Sequence, residues 1–322
     1  MAHTTPFSAV IAALLDESKL FPARYLQRFS DIESVDLKAV LAAWPDVSGQ
    51  RKQTLLQDLE DLAETDTLVS LDAFARALLT DPLAEVRLRA LRILVESDEP
   101  RLIQAYRKLL RSDPDMEVRA AAAANLGHFV LLGELEKIPA EEKQEIEVDL
   151  MLALDSSKSQ SVRQRALESL GYSGRAEVPA LIEAAYQQKV TDWKVSALCA
   201  MGRSSDTCWS KQVLSQLHAP DEEVRIEAVR AAGELELEPA RGILLDLLAD
   251  EEDIEARKEL VWALSRIGGQ GVRARLEEML DAETDDEEAE FLEEALDNLT
   301  FTEDLAQFGM FDFEADADEE AD

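Results

Sequence analysis

The stretch Glu223–Gly233, EVRIEAVRAAG, decides the fold. With Val224 as position zero and about 100° per residue, the apolar Val224, Ala228, Val229, Ala231 and Ala232 gather on one side of a helix and form its core face. The phrase occurs five more times: EVRLRALRILV from Glu85, EVRAAAAANLG from Glu117, SVRQRALESLG from Ser161, DWKVSALCAMG from Asp192 and EARKELVWALS from Glu255. Its interval is mostly that of a helical hairpin, and such a unit cannot bury its apolar face alone, so neighbours must stack. The expected fold class is all-α, an α-α superhelix. Each unit has an A helix, a turn and a B helix that carries the phrase.

The spacing places A helices over Leu102–Leu110, Val178–Tyr186, Ile243–Leu248 and Val272–Leu280. Asp81-Pro82 and Asp113-Pro114 read as a capping carboxylate with a proline near the first helical turn. Gly127, Gly171, Gly202 and Gly233 stand where the B helix is expected to stop. One interval is longer by about a dozen residues and reads as a loop plus an extended A helix between Leu131 and Leu154, an insertion near 131–145. Residues 1–80 lack the phrase. They read as helices through Ala9–Leu15, Val35–Leu41, Thr54–Leu62 and Leu71–Leu79, an N-terminal helical cap over the first repeat. Residues 81–300 are the repeats, and 301–322 an acidic tail expected to be disordered.

Lys and Arg number 33 against 68 Asp and Glu, a net charge of −35. From Asp281 to the end stand nineteen acidic residues and no basic one. Duplex DNA is held chiefly by Lys and Arg on its phosphates, so nucleic acid is not the expected partner. Cys199 and Cys208 give neither a disulfide framework nor a metal spacing. The N-terminus has no basic region ahead of its apolar run, and no run is long enough to span a bilayer. The expectation is a cytoplasmic monomer with no membrane contact.

With its turns, the phrase resembles the repeats of the HEAT-repeat superfamily, in the bacterial form akin to those named after phycobilisome lyases. The resemblance rests on DPLAEVRLRALRIL, DPDMEVRAAAAANLG and DEEVRIEAVRAAG and covers roughly Leu83 to Leu299. It implies a HEAT-like solenoid that mediates protein contacts. Metal-dependent relatives use repeated His-Glu pairs, whereas His3, His128 and His218 are followed here by Thr4, Phe129 and Ala219. Such a di-iron site is therefore excluded.

Position one of the phrase is Arg87, Arg119, Arg163, Lys194, Arg225 and Arg257, with Asp81, Asp113, Asp221 and Asp253 in the preceding turns. Arginine can run its stem along a core while its fork pairs with carboxylates or helix-end carbonyls, so these residues form an expected structural ladder. Positions three, six and ten fall on the opposite arc, which in this superfamily faces the concave side. They supply six Arg against five Glu, including Glu227, Glu234 and Glu259. Trp262 sits on this otherwise polar arc beside arginines, the composition of an interface hot spot. Tyr172, Arg203, Arg230, Trp262 and Arg266 are the candidate partner-binding residues. The tail adds Phe308, Phe311 and Phe313 among its acids, the pattern of a short docking motif.

The expected function is a non-enzymatic scaffold or adaptor that binds a protein partner on the concave face and needs no cofactor. The alternative is a lyase-like or chaperone-like accessory that helps attach a prosthetic group to a client protein.

Overall fold

The computed structural model describes the backbone over residues 6–319 and side chains to residue 304. Every regular element among the described residues is helical, and the chain divides into two compact units, 1–170 and 171–322. The first holds α1 (Phe7–Leu15), α2 (Ser34–Ala43), α3 (Gly49–Thr65), α4 (Asp72–Leu78), α5 (Ala84–Ile93), α6 (Arg101–Ser112), α7 (Met116–Glu134), α8 (Ala140–Ser156) and α9 (Gln160–Leu170). The second holds α10 (Val178–Tyr186), α11 (Thr191–Arg203), α12 (Ser210–Gln216), α13 (Glu222–Glu234), α14 (Arg241–Asp250), α15 (Ile254–Ile267), α16 (Val272–Ala282) and α17 (Asp286–Glu319). Among the described residues no helix is long and apolar enough to cross a membrane.

The packing is that of an all-α solenoid of helix pairs. In the first unit α4, α6 and α8 lie against α5, α7 and α9, while α3, α5, α7 and α9 pack in succession. In the second, α10, α12, α14 and α16 lie against α11, α13, α15 and α17, and those four again pack in succession. The phrase explains the stacking, because its positions zero, four and eight are all buried, as in Val224, Ala228 and Ala232. Alanine at the contact leaves room for close helix approach.

Gly171 stands just past the end of α9, as expected, but the other three glycines do a different job. Gly127, Gly202 and Gly233 lie inside their helices. A Cβ on Gly233 would stand 2.7 Å from Ala263 Cα, and one on Gly127 2.7 Å from Ser169 Oγ, so these glycines admit the next B helix. The helices end one residue beyond Gly133, Gly202 and Gly233, and two residues further on Glu136, Ser205 and Glu236 take left-handed φ of 58°, 51° and 50°. Lys137 and Leu237 then donate to the carbonyls of Leu132 and Ala232, closing a Schellman-type end.

Asp81 and Asp113 are not the helix caps. The cap of α7 is Asp115, whose carboxylate accepts from the N–H of Glu117 and Val118. Asp81 and Asp113 each turn the chain by accepting the N–H two residues on, and the other interactions of these carboxylates reach back to the preceding repeat. Arg87 pairs with Asp113 through Nε–Oδ2 at 2.8 Å and Nη2–Oδ1 at 2.6 Å. Lys52 on α3 does the same for Asp81 at 3.3 Å, and Trp44 Nε1 donates to that carboxylate at 2.6 Å. The ladder thus runs into the N-terminal block, where Lys takes the place of Arg.

That block closes the end of the stack with aromatic rings. Phe29 lies 4.9 Å from Phe74, Trp44 stands edge-on to Phe74 at 5.5 Å, and Phe7 and Phe21 pack around Phe29. Its last helix, α4, packs on α5 as the other A helices do on their partners. The long interval is likewise regular. α8, from Ala140 to Ser156, is the extended A helix expected there, α7 continues to Glu134 so that the connecting loop is short, and Lys143 ties the two helices by reaching Glu134 at 3.0 Å. The backbone of α17 runs on through the acidic end to Glu319.

Candidate interaction surface

Of the candidate residues on the arc, Arg203, Arg230, Trp262 and Arg266 lie on α11, α13 and α15, three helices packed in succession in the second unit, and Tyr172 lies in the link after α9. Position three is deeper than the wheel suggests, since Ser196 and Glu227 are 2% and 7% exposed. The surface is therefore made by positions six and ten, with Glu259 at position three of α15. The Arg203 guanidinium sits over the Tyr172 ring at 5.1 Å from its centre, a cation–π contact. Burial pushes the Tyr172 phenol above its ordinary range, and the charge of Arg203 works against that rise.

Arg230 is held from two sides. Its Nη1 reaches Glu227 on the same helix at 2.8 Å, and its other nitrogens clamp Glu259 on α15, with Nε–Oε2 at 3.2 Å. The Glu259 hydrogen bond is the main reason that its guanidinium is held even more firmly charged than usual. Arg266 reaches Glu236 at 3.5 Å. Glu234 lies in the gap over Gly202, where a Cβ would stand 2.1 Å from its Oε2. Burial raises its carboxyl above the ordinary carboxylate value, with Arg203 the leading opposing charge.

Arg230 is thus paired with Glu227 and Glu259, Arg266 with Glu236, and Arg203 is stacked on Tyr172. The cations of the arc are engaged within the chain. Trp262 is different. It is 40% exposed and walls a cleft of about 150 Å³ with Arg230, Gly233, Glu234, Glu259 and Arg266. The close α13–α15 approach at Gly233 and Ala263 contributes to the lining of the cleft.

Among the ladder residues, Arg119 donates from Nε to the Leu110 carbonyl at 2.8 Å and Arg225 from Nη1 to the Ala219 carbonyl at 3.0 Å. Arg257 reaches Glu288 on α17 at 2.8 Å, Arg163 is half-buried, and Lys194 lies 5.8 Å from the Tyr186 ring centre. Phe308, Phe311 and Phe313 fall on the backbone of α17, and their side chains lie outside the described residues. A set that sequence reading missed joins α6 to α8, where Arg107 and Arg111 share Asp149, each at 2.6 Å. The signal available was Arg107 and Arg111 one helical turn apart, facing an acidic A helix.

Chemically the arc offers contact. Among the described residues no group of three or more His, Cys, Asp and Glu is placed to hold a metal. Burial, then the neighbouring Asp206, pushes the Cys208 thiol up to about 11, so it stays protonated at neutral pH.

The fold and this face define a helical-repeat protein, and the sequence supplies the kind of repeat. A family model of HEAT repeats matches residues 71–140 and 210–297, so the chain carries repeats of the HEAT-repeat superfamily. The first match opens at α4, the helix that packs on α5. Similar solved structures include YibA of Escherichia coli, at 17% identity over 86% of this chain and 96% of that one, with a TM-score of 0.42. Human deoxyhypusine hydroxylase in complex with glycerol is similar at 18% identity over 81% and 95%, with a TM-score of 0.35. A chain from a structure of Kap95p and RanGDP is similar at 14% identity over 91% and 40%, with a TM-score of 0.38. No curated protein matches the sequence.

Proposed function

We propose that this protein is a non-enzymatic scaffold or adaptor that binds a protein partner across the arc of α11, α13 and α15. The observation that carries the reading is Trp262, a large aromatic side chain left 40% exposed above a cleft in a surface whose cations are engaged within the chain. A rigid aromatic anchor inside a ring of satisfied polar groups is how binding energy concentrates at protein interfaces. The HEAT repeats support the reading, because stacked helix pairs give broad contact surfaces. In this proposal the protein works as a cytoplasmic monomer without a cofactor, and Tyr172, Arg203, Arg230 and Arg266 frame the anchor.

The test is capture from native lysate with the full chain, with Trp262→Ala, and with a Phe308→Ala, Phe311→Ala, Phe313→Ala triple variant. A partner held by the first and third and lost by the second supports the arc. A partner lost only with the triple variant would move the function to the acidic end. A coloured full-length preparation would favour the prosthetic-group accessory instead.

A further inference from the structure

The first unit carries a second surface that the phrase does not predict. Where the end of α3, the α3–α4 turn and the α5–α6 link meet, a groove of about 470 Å³ opens. Ala63, Val69 and Ile93 supply its apolar lining, while Asp72, Glu96, Asp98 and Glu99 supply four carboxylates, and no cation lines it. Two apolar side chains beside lining residues in sequence face water: Leu68 at 87% exposure and Val95 at 51%. Neither follows a helical stripe, and burying either on a partner removes apolar surface from water.

The acids are partly used within the chain. Asp72 accepts from Ser97 Oγ, Glu99 takes Arg76 and lies 3.7 Å from Arg101, and Asp98 meets His128 Nε2 at 2.5 Å. Glu96 is exposed. Behind the groove the Tyr106 phenol is raised well above its ordinary range, by burial first and then by the charges of Asp72 and Glu99, which adds to the picture of a negative field.

We propose that this groove docks a basic, leucine-bearing segment of a partner protein, the cations meeting Glu96 and Asp98 and the aliphatic side chains covering Leu68, Val69 and Val95. Charge complementarity selects this occupant. A second copy of the chain also carries −35 and would be repelled, as would nucleic acid. The surface is separate from the Trp262 arc, so either can fail without the other.

The probe is a labelled twelve-residue peptide, LKKLLKKLLKKL, titrated with the full chain by fluorescence anisotropy in about 0.15 M salt. Its companion, SKKSSKKSSKKS, keeps the charge and removes the leucines. The expected result is binding of the first peptide at least about tenfold tighter than the second. Glu96→Gln with Asp98→Asn weakens it by about tenfold or more, Leu68→Ser weakens it, and Glu293→Gln with Glu294→Gln, an equal charge loss on α17, leaves it within about twofold. Glu96→Gln alone, on a solvated side chain, moves affinity in the same direction and guards against misfolding of the double variant. Equal binding of the two peptides, equal loss in the two double variants, or no binding overturns the proposal.

Discussion

Arg87 and Asp113 join two consecutive repeats by a forked ion pair buried between α5 and the turn before α7, with the arginine 7% and the aspartate 8% exposed. The same carboxylate accepts the Asp115 N–H, and Arg87 also donates to the Asp81 carbonyl at 2.8 Å. Almost every polar atom of the pair is thereby satisfied. Removing one partner strands the other charge out of water.

Arg87→Ala is therefore expected to cost about 3–5 kcal/mol of stability. Arg119 occupies the same phrase position, but its principal bond is to a carbonyl, so Arg119→Ala should cost only about 1 kcal/mol. Urea unfolding of both variants separates the two cases. Equal losses would show that the fork to Asp113 contributes nothing special.

Gly233 and Gly242 are both helical, with opposite surroundings. A Cβ on Gly233 meets the Ala263 backbone at 2.7 Å, whereas one on Gly242 meets nothing within 4 Å. Gly233→Ala should destabilise by about 1–3 kcal/mol through forced separation of α13 and α15. Gly242→Ala should stabilise by up to about 1 kcal/mol through lower unfolded-chain entropy. Thermal melting reads both signs, and a stabilising Gly233→Ala would deny the close approach.

Glu234 gives a pH signature. Its carboxyl is raised above the ordinary 4.5 by burial, so in the folded state it holds a proton that the unfolded chain has released. Its contribution to stability is present below about 4.5 and is lost as pH rises through the raised value. Glu234→Gln removes that loss. The stability of the variant relative to the parent should rise between pH 4.5 and neutrality in paired urea titrations, and a pH-independent difference would contradict it.

Trp44, Trp193 and Trp209 are 5%, 4% and 5% exposed, against 40% for Trp262. Acrylamide should therefore quench one component of the intrinsic fluorescence, and Trp262→Phe should abolish that component while leaving the melting midpoint unchanged. Retention of the quenchable signal would mean that another indole is open.

Much of this was legible in the sequence. The Val-Arg phrase located every B helix from α5 to α15, because an apolar stripe at helical period has few other ways to be buried. What escaped were features set between helices. Gly202 and Gly233 look like stops from their position at a helix end, yet the contact that requires them comes from a helix about thirty residues away. Asp81 looks like a cap until Lys52, in a segment without the phrase, is seen to hold it. The sequence shows arginines on the arc, and only the distances to Glu227, Glu259 and Glu236 show Arg230 and Arg266 engaged. Leu68 and Val95 carried no signal at all, since a lone apolar residue in a turn has no period.

The most direct measurement for the central claim is hydroxyl-radical footprinting of the full chain, alone and with the partner captured from lysate, read by mass spectrometry at each tryptophan. Trp262 should be readily oxidised in the free protein and protected in the complex, with Trp44, Trp193 and Trp209 slow in both. Unchanged oxidation of Trp262 in a saturated complex would show that the partner binds elsewhere and would contradict the assignment of the α11–α15 arc.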